Sequence, residues 1–255
     1  MVAPRSFFLA ELTWPEVRDA IAAGYDSVLL PVGATEQHGP HLPLSTDSLH
    51  TIAVIVRVAP DIPALVAPIL PVGRSEHHMM FAGSMTLRQG TLEALIRDCC
   101  DSLFRHGFRQ VLVYSGHGGN AGPIRVIVDG LNGSASGGLV IGCTDWSLYE
   151  DTLFGCAAEQ GINRASAGGH SGELETSMIL GLDPRLVLMQ FAAIGFMGEV
   201  SAVRDLIFDK GMGAVSESGV LGDPRLGDAE RGREYIRRLA ARLVTYFKRE
   251  IAFRS

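Results

Sequence analysis

Four short apolar runs punctuate this chain: Ser27–Val32 (SVLLPV), Ala64–Pro71 (ALVAPILP), Gln110–Tyr114 (QVLVY) and Gly138–Thr144 (GLVIGCT). Each is continuous in Val, Ile and Leu rather than alternating with polar residues. That pattern belongs to strands buried on both faces. Helical patterns separate the runs. Thr13-Trp14-Pro15-Glu16 reads as a capping box with proline in the first turn, opening a helix that ends near Gly24. Ser48–Val58, Pro123–Leu131 and Ser171–Gly181 have helical apolar faces, and Thr91–His106 stops at Gly107, a plausible C′ residue. Ala229–Ile251 reads as a long, Arg-rich closing helix with one solvated face. Strands alternating with helices predict parallel βαβ units, hence an α/β fold with a sheet covered on both sides. Met189–Gly227 is Gly-rich and irregular, which suggests a rim excursion or a subunit contact. With no linker, low-complexity tract or internal repeat, a single domain over residues 1–255 is expected.

Charge narrows the function classes. Lys and Arg total 22 against 28 Asp and Glu, a net charge of −6, so the basic footprint of a nucleic-acid binder is missing. No run approaches the roughly 20 apolar residues that span a bilayer, and the N-terminus lacks a secretory apolar core. Cys99, Cys100, Cys143 and Cys156 form no CxxC pair and read as reduced thiols, so a cytoplasmic protein without a membrane partner is expected. No GxGxxG follows the first strand, which argues against a dinucleotide-binding protein.

In sheets of this kind ligands bind beyond the carboxyl ends of the strands. Two of three polar clusters fall there. GATEQHGPHLPLSTD (Gly33–Asp47) follows the first strand and SGHGGN (Ser115–Asn120) follows QVLVY; HSGELETS (His170–Ser177) opens a helix. Glu36 and His38 lie two apart, so an extended backbone points both to one side. Asp47 lies just before a helix and reads as an N-cap or, beside Glu36 and His38, as a metal ligand. His117 stands among Gly116, Gly118 and Gly119, which let a ligand approach the backbone. His170 and Glu173 share a face at i, i+3 if the helix has already started there, which would turn Glu175 elsewhere. If Glu36, His38, Asp47, His117 and Glu173 converge, three carboxylates repel one another unless cations hold them. Two divalent cations outweigh those charges by one, leaving room for a hydroxide. Mixed imidazole and carboxylate ligands suit zinc or manganese, with Asp47 as the bridge.

These stretches, with GVLGDP at Gly219–Pro224, resemble the creatininase (creatinine amidohydrolase) family, as an HGGN-type member rather than creatininase itself. The resemblance implies a three-layer α/β/α sandwich with a mainly parallel central sheet, a dinuclear zinc or manganese site and hydrolysis of a non-peptide, often cyclic, C–N bond. It also implies a homo-oligomer, commonly a hexamer. By motif, Glu36, Asp47 and His117 stand as ligands of one metal, and His38 and Asp47 of the other. Creatininase supplies a further glutamate two residues after the second-motif histidine, where this chain has Gly119. Glu173, at a position apolar in creatininase, is expected to close the site instead. Trp146 matches a family tryptophan and Ser75 a substrate-contacting serine. Gly118 replaces an aromatic residue and Ser166-Ala167 a Trp-Asp pair, which argues against creatinine as substrate. Arg74, Glu76, His77, His78 and Arg88 read as a polar rim or a solvated loop.

The expected reaction is hydrolysis of a small-molecule amide by a hydroxide bridging two metals, one of which polarises the carbonyl. His170 is the expected general acid/base and Glu175 is expected to orient it or the water. Ser75, Gly118, Asn120 and Trp146 are the candidate substrate contacts, with Asn120 alternatively bracing its loop. Two other chemistries use the same scaffold: maturation of a peptide, as in the mycofactocin-precursor peptidase, and formamide removal from pyrimidine nucleotides. A metal-stabilised binding protein without catalysis is the alternative from another class.

Overall fold

The computed structural model describes residues 3–133 and 137–254. Strands β1 (Ser27–Val32), β2 (Ala64–Val66), β3 (Gln110–Ser115) and β4 (Leu139–Cys143) form one sheet in the order β2-β1-β3-β4. All pairs are parallel, with Ser27 opposite both Ala64 and Gln110, and Gln110 opposite Leu139. β1 is buried along its whole length, as a strand without alternating polarity requires. β2 is shorter than its apolar run, because Pro68 and Pro71 have no N–H to donate to a ladder.

Helices cover both faces. Leu29, Leu112, Tyr114 and Ile141 point into one apolar layer with residues of α2 (Thr46–Val58), α5 (Trp146–Glu159), α7 (Glu173–Leu182) and α9 (Ala229–Arg254). The alternate strand residues, Val28, Leu30, Val111, Val113 and Val140, meet Ala20 of α1 (Trp14–Ala22), Ile96 of α3 (Gln89–Arg105) and Ile127 of α4 (Gly118–Gly133). The result is the three-layer α/β/α sandwich with a parallel sheet. α9 buries Tyr235, Ile236, Leu239, Leu243 and Phe247 in one stripe, a spacing that leaves Arg233, Arg237 and Arg249 on the outside.

Local signals account for most boundaries. The Thr13–Glu16 capping box is formed, with Glu16 Oε2 accepting from the Thr13 N–H at 2.7 Å. Gly107 follows α3 at φ +98°, a conformation that glycine adopts without a Cβ penalty. Three elements differ from the sequence reading. α5 was not anticipated; Asp145 caps it by accepting from Ser147 N at 3.1 Å. The Gly-rich 189–227 stretch contains α8 (Val200–Lys210). α4 starts at Gly118, five residues ahead of Pro123, so His117 sits directly before a helix N-terminus. α6 (Arg164–Ala167) is a single turn capped by Asn163.

Candidate metal centre

The loop after β1 carries Glu36, Gln37 and His38; the turn after β3 carries His117. Asp47 occupies the first turn of α2, and His170 to Glu175 lead into α7. The N-cap position of α2 is Ser45, so Asp47 does not cap the helix and its side chain is released toward the site. Two triads of buried donors share Asp47. One is Glu36, Asp47 and His117; the other is His38, Asp47 and Glu175. Within each, the ligand atoms lie within 4.8 Å of one another. Glu36, His38 and His170 form a third such group.

The imidazoles are oriented from behind. His117 Nε2 is 2.9 Å from the Arg74 carbonyl oxygen, so an N–H donated there leaves the Nδ1 lone pair facing Asp47 Oδ2 at 3.3 Å. His38 Nδ1 is 3.1 Å from the Glu36 carbonyl oxygen, which leaves Nε2 facing Asp47 Oδ1 at 3.5 Å and Glu175 Oε2 at 3.7 Å. A ring whose outer N–H is tied to a backbone carbonyl has its tautomer and direction fixed for ligation. Glu175 is held by Ser171, whose N–H donates to Oε2 at 2.5 Å. Ser171 has φ +55°, a costly backbone state for a residue with a Cβ. That turn aims the N–H at the carboxylate.

The electrostatics call for a cation. Glu36 Oε1 and Oε2, His38 Nε2 and Asp47 Oδ2 are buried without a hydrogen-bond partner. Orphaned polar atoms in such number are costly unless something binds them. Burial, with Asp47 adding to it, pushes the Glu36 carboxyl up to about 7, against the pull of His117 and His38. Burial lowers the basicity of His38 and His117, but the surrounding carboxylates override it. Asp47 and Glu175 raise His38 to about 10, and Glu36 and Asp47 raise His117 to about 9. Asp47 lies well below its usual range: burial opposes this, and His38 and His117 outweigh it. Protons thus sit where divalent cations fit. Two imidazoles and three carboxylates suit zinc or manganese.

The structure does not bring Glu173 to this cluster. Its carboxylate is fully buried in the α7–α9 contact, where Arg231 Nε (2.5 Å), Ser177 Oγ (2.6 Å) and Tyr235 OH (2.9 Å) all donate to it. Glu175 occupies the expected fifth position instead. The regular helix starts at Glu173 itself, with His170 still in the turn before it, so the i, i+3 face-sharing argument does not apply. Asn120 is buried and does not line the cavity beside these ligands. It accepts from Arg74 N (2.8 Å) and donates to Gly33 O (3.0 Å) and Ser115 Oγ (3.1 Å), bracing its loop. Ser75 is fully buried beside Glu36 rather than on the cavity wall. Gly118 and Trp146 do line the cavity, and a Cβ on Gly118 would lie 3.3 Å from the indole. A side chain at Gly119 would collide with Arg74 O and His117 Nε2, both 2.4 Å from its Cβ.

Gln37 and His50 were not singled out in the sequence, and His78 was read there only as part of a polar rim or a solvated loop. His78 Nε2 is 3.2 Å from Glu36 Oε1, with Nδ1 2.9 Å from Gln37 Nε2. Gln37 also meets His170, whose Nε2 lies 2.8 Å from the Gln37 carbonyl oxygen. His50 Nε2 is 3.4 Å from Asp47 Oδ1. Position along the helix was the one available signal for His50, one turn after Asp47. Burial, with His170 adding to it, keeps His78 neutral. The same causes, with His38 as the neighbour, hold His170 well below the usual histidine range.

This cavity, of about 220 Å³, opens between Trp146 on α5 and Phe208 on α8. The model of the creatininase family, described as creatinine amidohydrolase, matches residues 10–247. The chain belongs to the creatininase family. It is 35% identical over 196 residues to the creatinine amidohydrolase of Pseudomonas putida, covering 72% of this chain and 74% of that one. It is 32% identical over 232 residues to the mycofactocin precursor peptide peptidase of Mycobacterium ulcerans, covering 87% and 80%. Among solved structures, a manganese form of creatininase superposes with a TM-score of 0.78 at 27% identity, covering 96% of this chain and 99% of that one. A zinc–zinc form of a creatininase variant gives 0.79 at the same identity, covering 96% and 98%. The two triads are thus this family member's candidate metal sites. Among its described residues no helix is long and apolar enough to cross a membrane.

Proposed function

We propose that the chain is an amidohydrolase that holds two divalent ions, zinc or manganese, and cleaves a non-peptide amide C–N bond of a small molecule. One observation carries the reading: two buried triads meet at Asp47, and within them both Glu36 oxygens, His38 Nε2 and Asp47 Oδ2 are buried without a hydrogen bond. Glu36, Asp47 and His117 would hold one ion, and His38, Asp47 and Glu175 the other. When bound, the ions would activate a water and polarise the amide carbonyl.

The remaining steps fall to the chain's own residues. His170 Nε2 lies 2.8 Å from the Gln37 carbonyl oxygen, so an N–H donated there leaves Nδ1 bare, 3.8 Å from Glu36 Oε1. Nδ1 is placed to take a proton from the attacking water and pass it to the leaving nitrogen. Gln37 donates from Nε2 to His78 Nδ1, which directs the His78 N–H at Glu36. Trp146, stacked on Tyr149 at 4.4 Å, gives one wall an aromatic face for a flat substrate.

Peptide maturation is the second reading, favoured by the longer match to the mycofactocin precursor peptide peptidase. A screen of the zinc- or manganese-loaded protein against cyclic amides, hydantoins, lactams, formamides and short peptides decides between them. Cleavage of peptides alone overturns the small-molecule reading, and no cleavage despite bound metal favours a binding protein. Met79, Met80, Met85, Phe191 and Ile194 are exposed apolar residues, which supports a homo-oligomer such as the family's hexamer. Sedimentation checks that size. The free cysteines suit a cytoplasmic setting.

A further inference from the structure

α8 supplies one wall of the cavity, through Val200, Ser201, Arg204, Ile207 and Phe208. Ile207 is buried with Met212 and Leu221, and Phe81 packs against them, which fixes the rotation of the helix. Arg204, three residues earlier, is thereby presented on the cavity side. A run of rings leads from its guanidinium to the candidate metal centre. Arg204 Cζ lies 5.8 Å from the Phe208 ring, Phe208 lies 4.7 Å from His77, and His77 stacks on His117 at 6.0 Å.

The acids of the cavity mouth are already engaged. Glu150 is 3.1 Å and Glu199 3.7 Å from Arg164, whose guanidinium also lies over Phe154. Glu36, Asp47 and Glu175, the other acids lining the cavity, belong to the candidate metal centre. Arg204 therefore pairs with no carboxylate among the described residues. A guanidinium on the wall of a concave site that is held in no ion pair is free to attract an anionic group and orient it.

We propose that Arg204 binds an anionic group, a carboxylate or a phosphate, carried by the substrate away from the amide that is cleaved. This rests on the amidohydrolase reading and adds to it that the substrate is an acidic amide.

Titration calorimetry with linear dicarboxylates from malonate to adipate tests the inference, on zinc-loaded and metal-free protein. The matching monoamides and phosphono acids run beside them. The dicarboxylate of best length should bind about tenfold tighter than its monoamide, the worth of one charge-assisted pair. Arg204→Gln should erase that ratio and Arg204→Lys keep part of it, with acetate binding unchanged. Phosphono acids binding tighter than dicarboxylates, with the same loss in Arg204→Gln, would assign the anion as a phosphate. A ratio near one at every length, or one that survives Arg204→Gln, overturns the proposal. Zinc content, measured on the same samples by mass spectrometry, reports on the metal centre alone and so separates the two failures.

Discussion

Glu173 and Glu175 stand two residues apart on α7 and serve opposite sides of it. Glu175 faces His38 at 3.7 Å in the candidate metal centre, while Glu173 is clamped by Arg231 and Tyr235 of α9. A hundred-degree step per residue makes this division unavoidable in a helix. It lets one short segment anchor the fold and present a ligand.

Substitution at the two positions should therefore separate. Glu175→Ala should leave one divalent ion per chain instead of two, with little loss of fold. Glu173→Gln should keep both ions but destabilise the protein by about 3 kcal/mol, since it removes the negative charge that compensates a largely buried guanidinium. Metal analysis and urea unfolding check both. Loss of an ion in Glu173→Gln would return that residue to the ligand set.

His170→Ala should retain both metals and lose turnover by roughly a hundred- to ten-thousandfold, the usual worth of a positioned proton carrier. The side chain donates to the Gln37 carbonyl from one nitrogen and leaves the other free. Steady-state rates beside metal content are the measurement; near-normal activity would remove His170 from the reaction.

Metal loading should release protons. In the metal-free chain His38 is raised to about 10 and His117 to about 9, so both imidazoles are protonated at pH 8. Each must shed its proton to ligate. Affinity for zinc should therefore rise as pH increases toward those values and fall as pH drops. Calorimetry in two buffers of different ionisation heat should show about two protons released per chain at pH 8. Release of none would mean that the imidazoles are not ligands.

Much of the fold was legible from the chain because buried parallel strands leave unbroken runs of Val, Ile and Leu, as at Val28–Leu30 and Val111–Val113. α5 was hidden because Asp145 is a cap of ordinary composition and the helix has no strong apolar face to announce it. In the site, Glu36, His38, Asp47 and His117 were readable, since they cluster in two short motifs at strand ends. The choice between Glu173 and Glu175 was not. It depends on where the helix starts, and the turn at Ser171 delays it by two residues. The contact of His78 with Glu36 and Gln37 was equally hidden behind its reading as a rim residue, because those partners are some forty residues away in the chain.

Asn120 should matter to metal binding without touching a ligand atom. Its amide joins Gly33, at the end of the first strand, to Arg74 and Ser115. Arg74 in turn offers the carbonyl that orients His117. Asn120→Ala leaves the Arg74 N–H and the Gly33 carbonyl unpaired and lets the two motif loops drift apart. Partners that position ligands from behind are usually worth about ten- to a hundredfold in metal affinity. A competitive zinc titration with a chelating dye should show a loss of that size, with Glu36, Asp47 and His117 all intact. Asn120→Asp, which keeps the acceptor for Arg74 N but not the donors, should fall between the wild type and the alanine variant. Equal affinity in all three proteins would show that the loops hold their geometry without this side chain.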